Sequence, residues 1–232
     1  MSHTPKKRST CFSKFPRTAN PVDLVTHVGG LLRIEIETQQ PSGKPSLHRE
    51  NIRFQFNAAL LRDDYELPPK VAQTVAEHTA ELQLDVASFI NSVHLMSTLF
   101  PDVLAGSDSS RQAAREAAKH VLAYDTDALR GFYGQLKLPN AQRPLPPAAS
   151  VTPDWALFRW LQVKLLFALD VYCRYGGRLP EPLSPKLYEK MEHDVLDAQY
   201  LILGVLERSF ATRETKLKEW WALICPNGAL YE

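Results

Sequence analysis

An excess of charge of one sign is missing from this sequence. Its 27 Lys and Arg stand against 26 Asp and Glu, a formal net charge of +1. No overall basic field is therefore present to hold nucleic acid, and any RNA contact has to come from a local patch. Cysteine is scarce: Cys11, Cys173 and Cys225 are far apart and odd in number, which argues against a disulfide framework and against a structural zinc site. They read as buried or idle thiols in a reducing compartment. No apolar run approaches the roughly 20 residues a membrane span needs, because Arg159, Lys164 and Asp170 interrupt the best candidate. The amino terminus carries no signal-peptide apolar segment, which predicts a cytoplasmic protein without membrane contact. A glycine-rich phosphate loop, a G-x-S-x-G elbow, an H-E-x-x-H helix, a C-x-x-C pair and an internal repeat are also absent, removing the chemistries and the solenoid architecture they would signal.

What is present suffices for a core, since 44% of the 232 residues are hydrophobic. Residues 1–20 hold Lys6, Lys7, Arg8, Lys14 and Arg17 among Ser, Thr and Pro, a composition expected to stay mobile, either as a solvated tail or as a basic arm. Leu32, Ile34 and Ile36 alternate with charged residues, as Ile52, Phe54 and Phe56 alternate with polar ones, so both runs read as half-buried strands. Whether they pair is open, because the loop holding Pro41, Gly43 and Pro45 is longer than a tight hairpin needs.

From Pro68 the pattern turns helical. Val71, Val75, His78 and Leu82 make one stripe, and Asp85 reads as the cap of a second helix, edged by Phe89, Val93, Met96 and Phe100 and stopped by Pro101. His78 and His94 read as half-buried surface histidines. Ser107 to Ser110 signal another helix start, and Asp125 or Thr126 the next. Arg111, Arg115, Lys119 and His120 form a basic stripe, read first as a solvated face. Prolines 139, 144, 146, 147 and 153 mark a linker or extended wrap. Asp154 is expected to cap the longest helix, Trp155 to about Tyr175, ended by Gly176 and Gly177. Ser184 then caps a short helix reaching about Glu192.

The last forty residues carry the chemistry. Asp194 and Asp197 are three apart at the expected head of an apolar helix, where the positive end of the helix dipole favours ionised carboxylates. Ser209 to Thr212 read as a short strand, with Arg213 and Glu214 at its C-terminal end. DAQYLILG from Asp197 and ATRE ending at Glu214 resemble the C-terminal half of a PIN-like domain, in which an Asp opens a helix and a strand ends in T-R-D or T-N-D.

The resemblance covers about forty residues, with Glu214 where Asp is usual and Asn57 in the slot of the first-strand acid; Asp63, Asp64 or Glu189 could supply the missing charge. It implies an α/β fold, a PIN-like three-layer α/β/α arrangement with a small parallel sheet and a large helical content. Residues 21–232 would form that single domain, with a helical insertion at about 69–138 and the Pro-rich connection at 139–153. It further implies a ribonuclease of the toxin or RNA-processing type, dependent on Mg²⁺ or Mn²⁺. Asp194, Asp197 and Glu214 would be catalytic, Asn57 would join them on the metal, and Thr212 and Arg213 would contact the RNA. Carboxylates within about 4 Å of an ion polarise the scissile phosphate and activate water. The same three acids also read as a helix cap, a first-turn residue and a surface ion pair with Arg213 or Lys218. A competing function therefore stands beside the nuclease: a catalytically inactive, mostly helical interaction protein. It would dock a protein partner, or a second copy, through the Trp155 to Tyr175 helix and a Trp220-Trp221 surface.

Overall fold

The computed structural model describes residues 22–45, 47–50, 66, 69–136 and 143–232. The basic tail, the expected strand at Ile52 to Phe56, Asn57, Asp63 and Asp64 lie outside these residues. Strand β1 is Val22–Val25, helix α1 Val28–Thr38, strand β2 Leu47–Glu50 and helix α2 Pro69–Leu99. Helices α3 (Asp108–Tyr124), α4 (Thr126–Gly134), α5 (Ala156–Arg174) and α6 (Pro185–Glu207) follow. Strand β3 (Ser209–Ala211), helix α7 (Thr215–Ile224) and strand β4 (Ala229–Tyr231) complete the chain.

Contacts divide the chain into two units: Met1–Thr26 with Ser46–Ala80, and His27–Pro45 with Glu81–Glu232. The smaller unit pairs β1 with β2 antiparallel, Val22 opposite Glu50, and contains the first part of α2. The larger unit is built on α5, of which 13 residues out of 19 are buried. A helix buried around most of its circumference has to be the core itself, and α5 is wrapped by α1, α3, α4 and α6. Its apolar stripe is therefore taken up inside the chain, where a docking surface was expected. Trp220 and Trp221 are buried too, which removes the other expected docking surface.

The expected three-layer α/β/α arrangement is overturned. Among the described residues the larger unit holds one sheet, β3 paired parallel with β4, Ser209 opposite Ala229. Two strands of three residues cannot separate two helical layers, so helix on helix makes the body of this unit. The strand expected at Ser209 is present, and α7 is the crossover between the two strands.

Leu32, Ile34 and Ile36 lie in helix α1, not in a strand. Alternation there coexists with a helical stripe, and Val28, Leu31 and Glu35 are the residues that turn inward. Ile34 is left 42% exposed, while Arg33 pairs with Glu37 one turn on at 2.7 Å. Inward Glu35, fully buried, settles where the start of α5 sits. Its Oε1 accepts from the Ala156 amide at 2.7 Å and from the Ser42 amide and hydroxyl at 2.9 and 3.0 Å, and its Oε2 accepts from the Leu157 amide at 2.8 Å. The N-cap of α5 is Trp155, which makes no side-chain capping bond, and Asp154 is exposed. A carboxylate from another helix thus does the work expected of Asp154, satisfying amides the helix leaves orphaned.

Two expected helix starts fall inside longer helices. Helix α2 runs through Asp85, whose carboxylate accepts from Gln199 Nε2 at 3.0 Å instead of capping backbone. Helix α6 runs unbroken from its Ser184 cap, because neither Gly nor Pro interrupts Glu192 to Asp194. Other punctuation falls where expected: Ser107 caps α3, Asp125 caps α4, Pro101 follows the end of α2, and Gly176 and Gly177 with φ of 62° and 89° follow α5. The described part of the Pro-rich segment contains one 3-10 turn, Ala148–Ser150, and is tied down, with Tyr133 donating to the Pro146 carbonyl at 3.0 Å and Gln39 to Pro144 at 3.1 Å.

Candidate acidic site

The third turn of α6 carries Asp194, which meets side chains of α5 and α7. Asp194 and Asp197 are therefore mid-helix, away from the dipole end that was expected to favour their charge. Asp194 is 7% exposed. Its Oδ1 accepts from Lys216 Nζ at 2.7 Å, and the same ammonium stands 3.1 Å from Asp170 Oδ2. Asp170 pairs with Arg174 one turn on along α5, and Arg174 Nη1 lies 3.6 Å from Asp194 Oδ2. That oxygen is buried without a hydrogen bond, held by charge alone. Two carboxylates and two cations therefore close on one another with no net charge. Lys216 is fixed from the other side as well, its ammonium 4.5 Å from the centre of the Phe167 ring.

Asp197 and Glu214 flank this network. Burial raises the pKa of Asp197, and the negative charges of Glu214 and Asp194 raise it further, while Lys216 and His193 offset part of the effect. The structure thus brings Asp194, Asp197 and Glu214 within electrostatic reach of one another. Glu214 is the exposed N-cap of α7, its amide donating to Thr212 Oγ1 at 3.1 Å, and its side chain makes no cap bond. Lys218 pairs with Glu232 at 2.7 Å, leaving Glu214 out. Thr212 is tied into the sheet by its amide, 3.0 Å from the Tyr231 carbonyl, and Arg213 is exposed beside it. Asn57 lies outside the described residues. Glu189 lines a shallow hollow of about 350 Å³ next to Asp194, in company with Arg174, Lys186 and Lys190.

Comparison with known proteins finds no family model, no curated protein and no solved structure that matches the chain.

A divalent ion needs three or more oxygen or nitrogen ligands converging on one point. Among the described residues no group of three His, Cys, Asp or Glu side chains does so. The place between Asp170 and Asp194 that a cation would favour is taken by Lys216. The residues as arranged do not fit Mg²⁺ or Mn²⁺.

Sequence reasoning missed Asp170, Arg174 and Lys216. Asp170 and Arg174 carry a readable signal, opposite charges at i and i+4 on a helix. Lys216 carries none, since it reaches Asp194 across 22 residues. The basic stripe on α3 also resolves into local partners: Arg111 with Asp108, Lys119 with Glu116 at 2.8 Å, and Arg115 with the Val103 carbonyl at 3.2 Å.

Proposed function

We propose that this chain works by binding, as a mostly helical regulatory or assembly protein that docks a protein partner, and that its acidic cluster serves stability. The observation carrying this reading is the Lys216 ammonium lodged between Asp194 and Asp170 at 2.7 and 3.1 Å. A site neutralised from within gives a metal-bound phosphate little to bind.

The docking face favoured by exposure is the seam of α2 and α6. The Asp85 to Gln199 hydrogen bond joins these helices, and the neighbours of that pair, Leu84 and Tyr200, are 72% and 66% exposed. Leu196, one turn before Tyr200, is exposed too. Apolar side chains grouped on a surface mark interaction sites more often than singly scattered ones do.

Two measurements test the reading. A fluorescent single-stranded RNA incubated with the chain and Mg²⁺ or Mn²⁺ should stay intact. Metal-dependent cleavage that disappears in Asp197→Asn would overturn the proposal and favour the ribonuclease. The dye ANS should bind the wild-type chain and bind less to the Leu84→Glu, Tyr200→Glu double variant. A wild-type chain that leaves the dye unbound would count against the docking face.

A further inference from the structure

A cavity of about 390 Å³ opens where the loop after α1, the start of α5 and the ends of α6 and α7 meet. Its wall includes three cations, Lys44, Arg159 and Arg208, and one carboxylate, Asp154. Among the described residues none of the three cations has a carboxylate within ion-pair distance. In the acidic cluster, by contrast, Arg174 and Lys216 each face carboxylates.

Arg159 is held ready. Its Nε donates to the Pro153 carbonyl at 2.7 Å and its Nη1 to Gln162 Oε1 at 2.8 Å, and Gln162 is itself fixed by two backbone carbonyls of α3 at 3.0 Å. Nη2 has no hydrogen-bond partner among the described residues. A guanidinium fixed at two nitrogens, with the N–H donors of the third uncommitted, suits a charge-assisted contact with an oxyanion. Burial lowers the pKa of Arg159, and Arg208 lowers it further, with Asp154 offsetting part. Three cations thus share this wall with one carboxylate, Asp154, which leaves it net positive.

Arg208 is the C-cap of α6 with φ of 57°. Glycine is the usual residue in that left-handed position, and a side chain there is strained. A cation beside a helix C-terminus gains from the dipole. The capping bonds, however, come from the Arg208 backbone amide to Gly204 and Val205, so the cap does not use the guanidinium. The rest of the wall is partly apolar, from Val205, Leu206 and Ile224. A volume of this size exceeds a bare phosphate and falls within the range of small-ligand pockets.

We infer that this cavity binds a small organic phosphate of the size of a nucleoside monophosphate. Its phosphate meets Arg159, Arg208 and Lys44, and its organic part lies against Val205, Leu206 and Ile224. The site is independent of the docking face and of the function proposed above.

Isothermal titration and thermal melts with adenosine monophosphate, inorganic phosphate and adenosine test this. Adenosine monophosphate should bind saturably and raise the melting temperature, phosphate should compete for it, and adenosine should bind at least about tenfold more weakly. Arg208→Gly keeps the left-handed cap without strain. It should weaken binding of the monophosphate by about tenfold or more while raising the melting temperature of the ligand-free chain, because it removes both the strain and the repulsion of Arg159. Lys44→Ala, at an exposed position, should weaken binding without changing the ligand-free melt. No saturable binding at about 10 mM ligand, or binding untouched by both substitutions, would overturn the inference, as would an RNA oligonucleotide that binds here when the monophosphate does not.

Discussion

At the scale of single residues, the buried carboxylate of Glu35 carries a large structural role. It accepts four hydrogen bonds, two from the first amides of α5 and two from Ser42. Glu35→Ala leaves the Ala156 and Leu157 amides buried and unpaired and should destabilise the chain by about 3 kcal/mol. Urea unfolding of the two proteins measures it. Asp197 is predicted to act in the opposite direction. Its pKa is raised, by burial first and then by Glu214 and Asp194. An acid with a folded pKa above its unfolded one binds its proton more tightly when folded. The stability it contributes is present below the ordinary aspartate range and lost as pH rises through the folded value. Asp197→Asn should therefore melt higher than wild type at neutral pH, with the gap closing toward about pH 3.5. A variant that melts lower at neutral pH would show that Asp197 is favourably placed after all.

Elements meet in this fold through particular side chains. Where α2, α5 and α6 join, Lys164 donates to Ser88 Oγ at 2.7 Å, lies 4.6 Å from the Trp160 ring centre and neighbours Asp85. Burial lowers its pKa to about 8 from 10.5, against the pull of Asp85. For a base so depressed, the stability contribution is complete above the unfolded pKa and lost as pH falls through the folded one. Stability should therefore gain a rising limb between about pH 8 and pH 10.5, and Lys164→Met should flatten it in urea titrations across that range. At the other end of α6, Gly204 lets β3 approach: a Cβ there would stand 2.6 Å from a ring carbon of Phe210. Gly204→Ala should cost about 1–3 kcal/mol by overpacking. Adding Phe210→Leu should recover part of that loss, the sign of direct coupling between the two positions.

For the whole molecule, the hydrophobic interior of the larger unit sustains the fold without covalent or metal staples among the described residues. Cys225 is buried, Cys173 is half-buried, and both are free thiols. Melts with and without a thiol reductant should coincide, and added Mg²⁺ should leave the melting temperature unchanged because Lys216 already occupies the acidic cluster. No helix among the described residues is long and apolar enough to cross a membrane. With the charges balanced overall, electrostatics in this protein is a matter of separate local sites: one self-neutralised around Lys216, and one left positive around Arg159.

By itself the sequence determined what depends on neighbours along the chain. Ser107, Asp125 and Ser184 cap their helices because a short oxygen-bearing side chain bonds an amide three residues on. The apolar stripe of α5, the stop after it at Gly176 and Gly177, and the strand at Ser209 are equally local. Tertiary structure decided whatever needed a partner from far away. Leu32 to Ile36 satisfied both periods, and only the demand of α5 for a buried acceptor makes Glu35 point inward from a helix. Asp85 and Asp194 looked like caps because Asp favours caps, yet Gln199 and Lys216, distant in sequence, engage them in mid-helix. The three acids of the C-terminal stretch were legible as neighbours, but the cation among them was not. Its position follows from the turn of chain between α6 and α7, which sequence spacing does not encode.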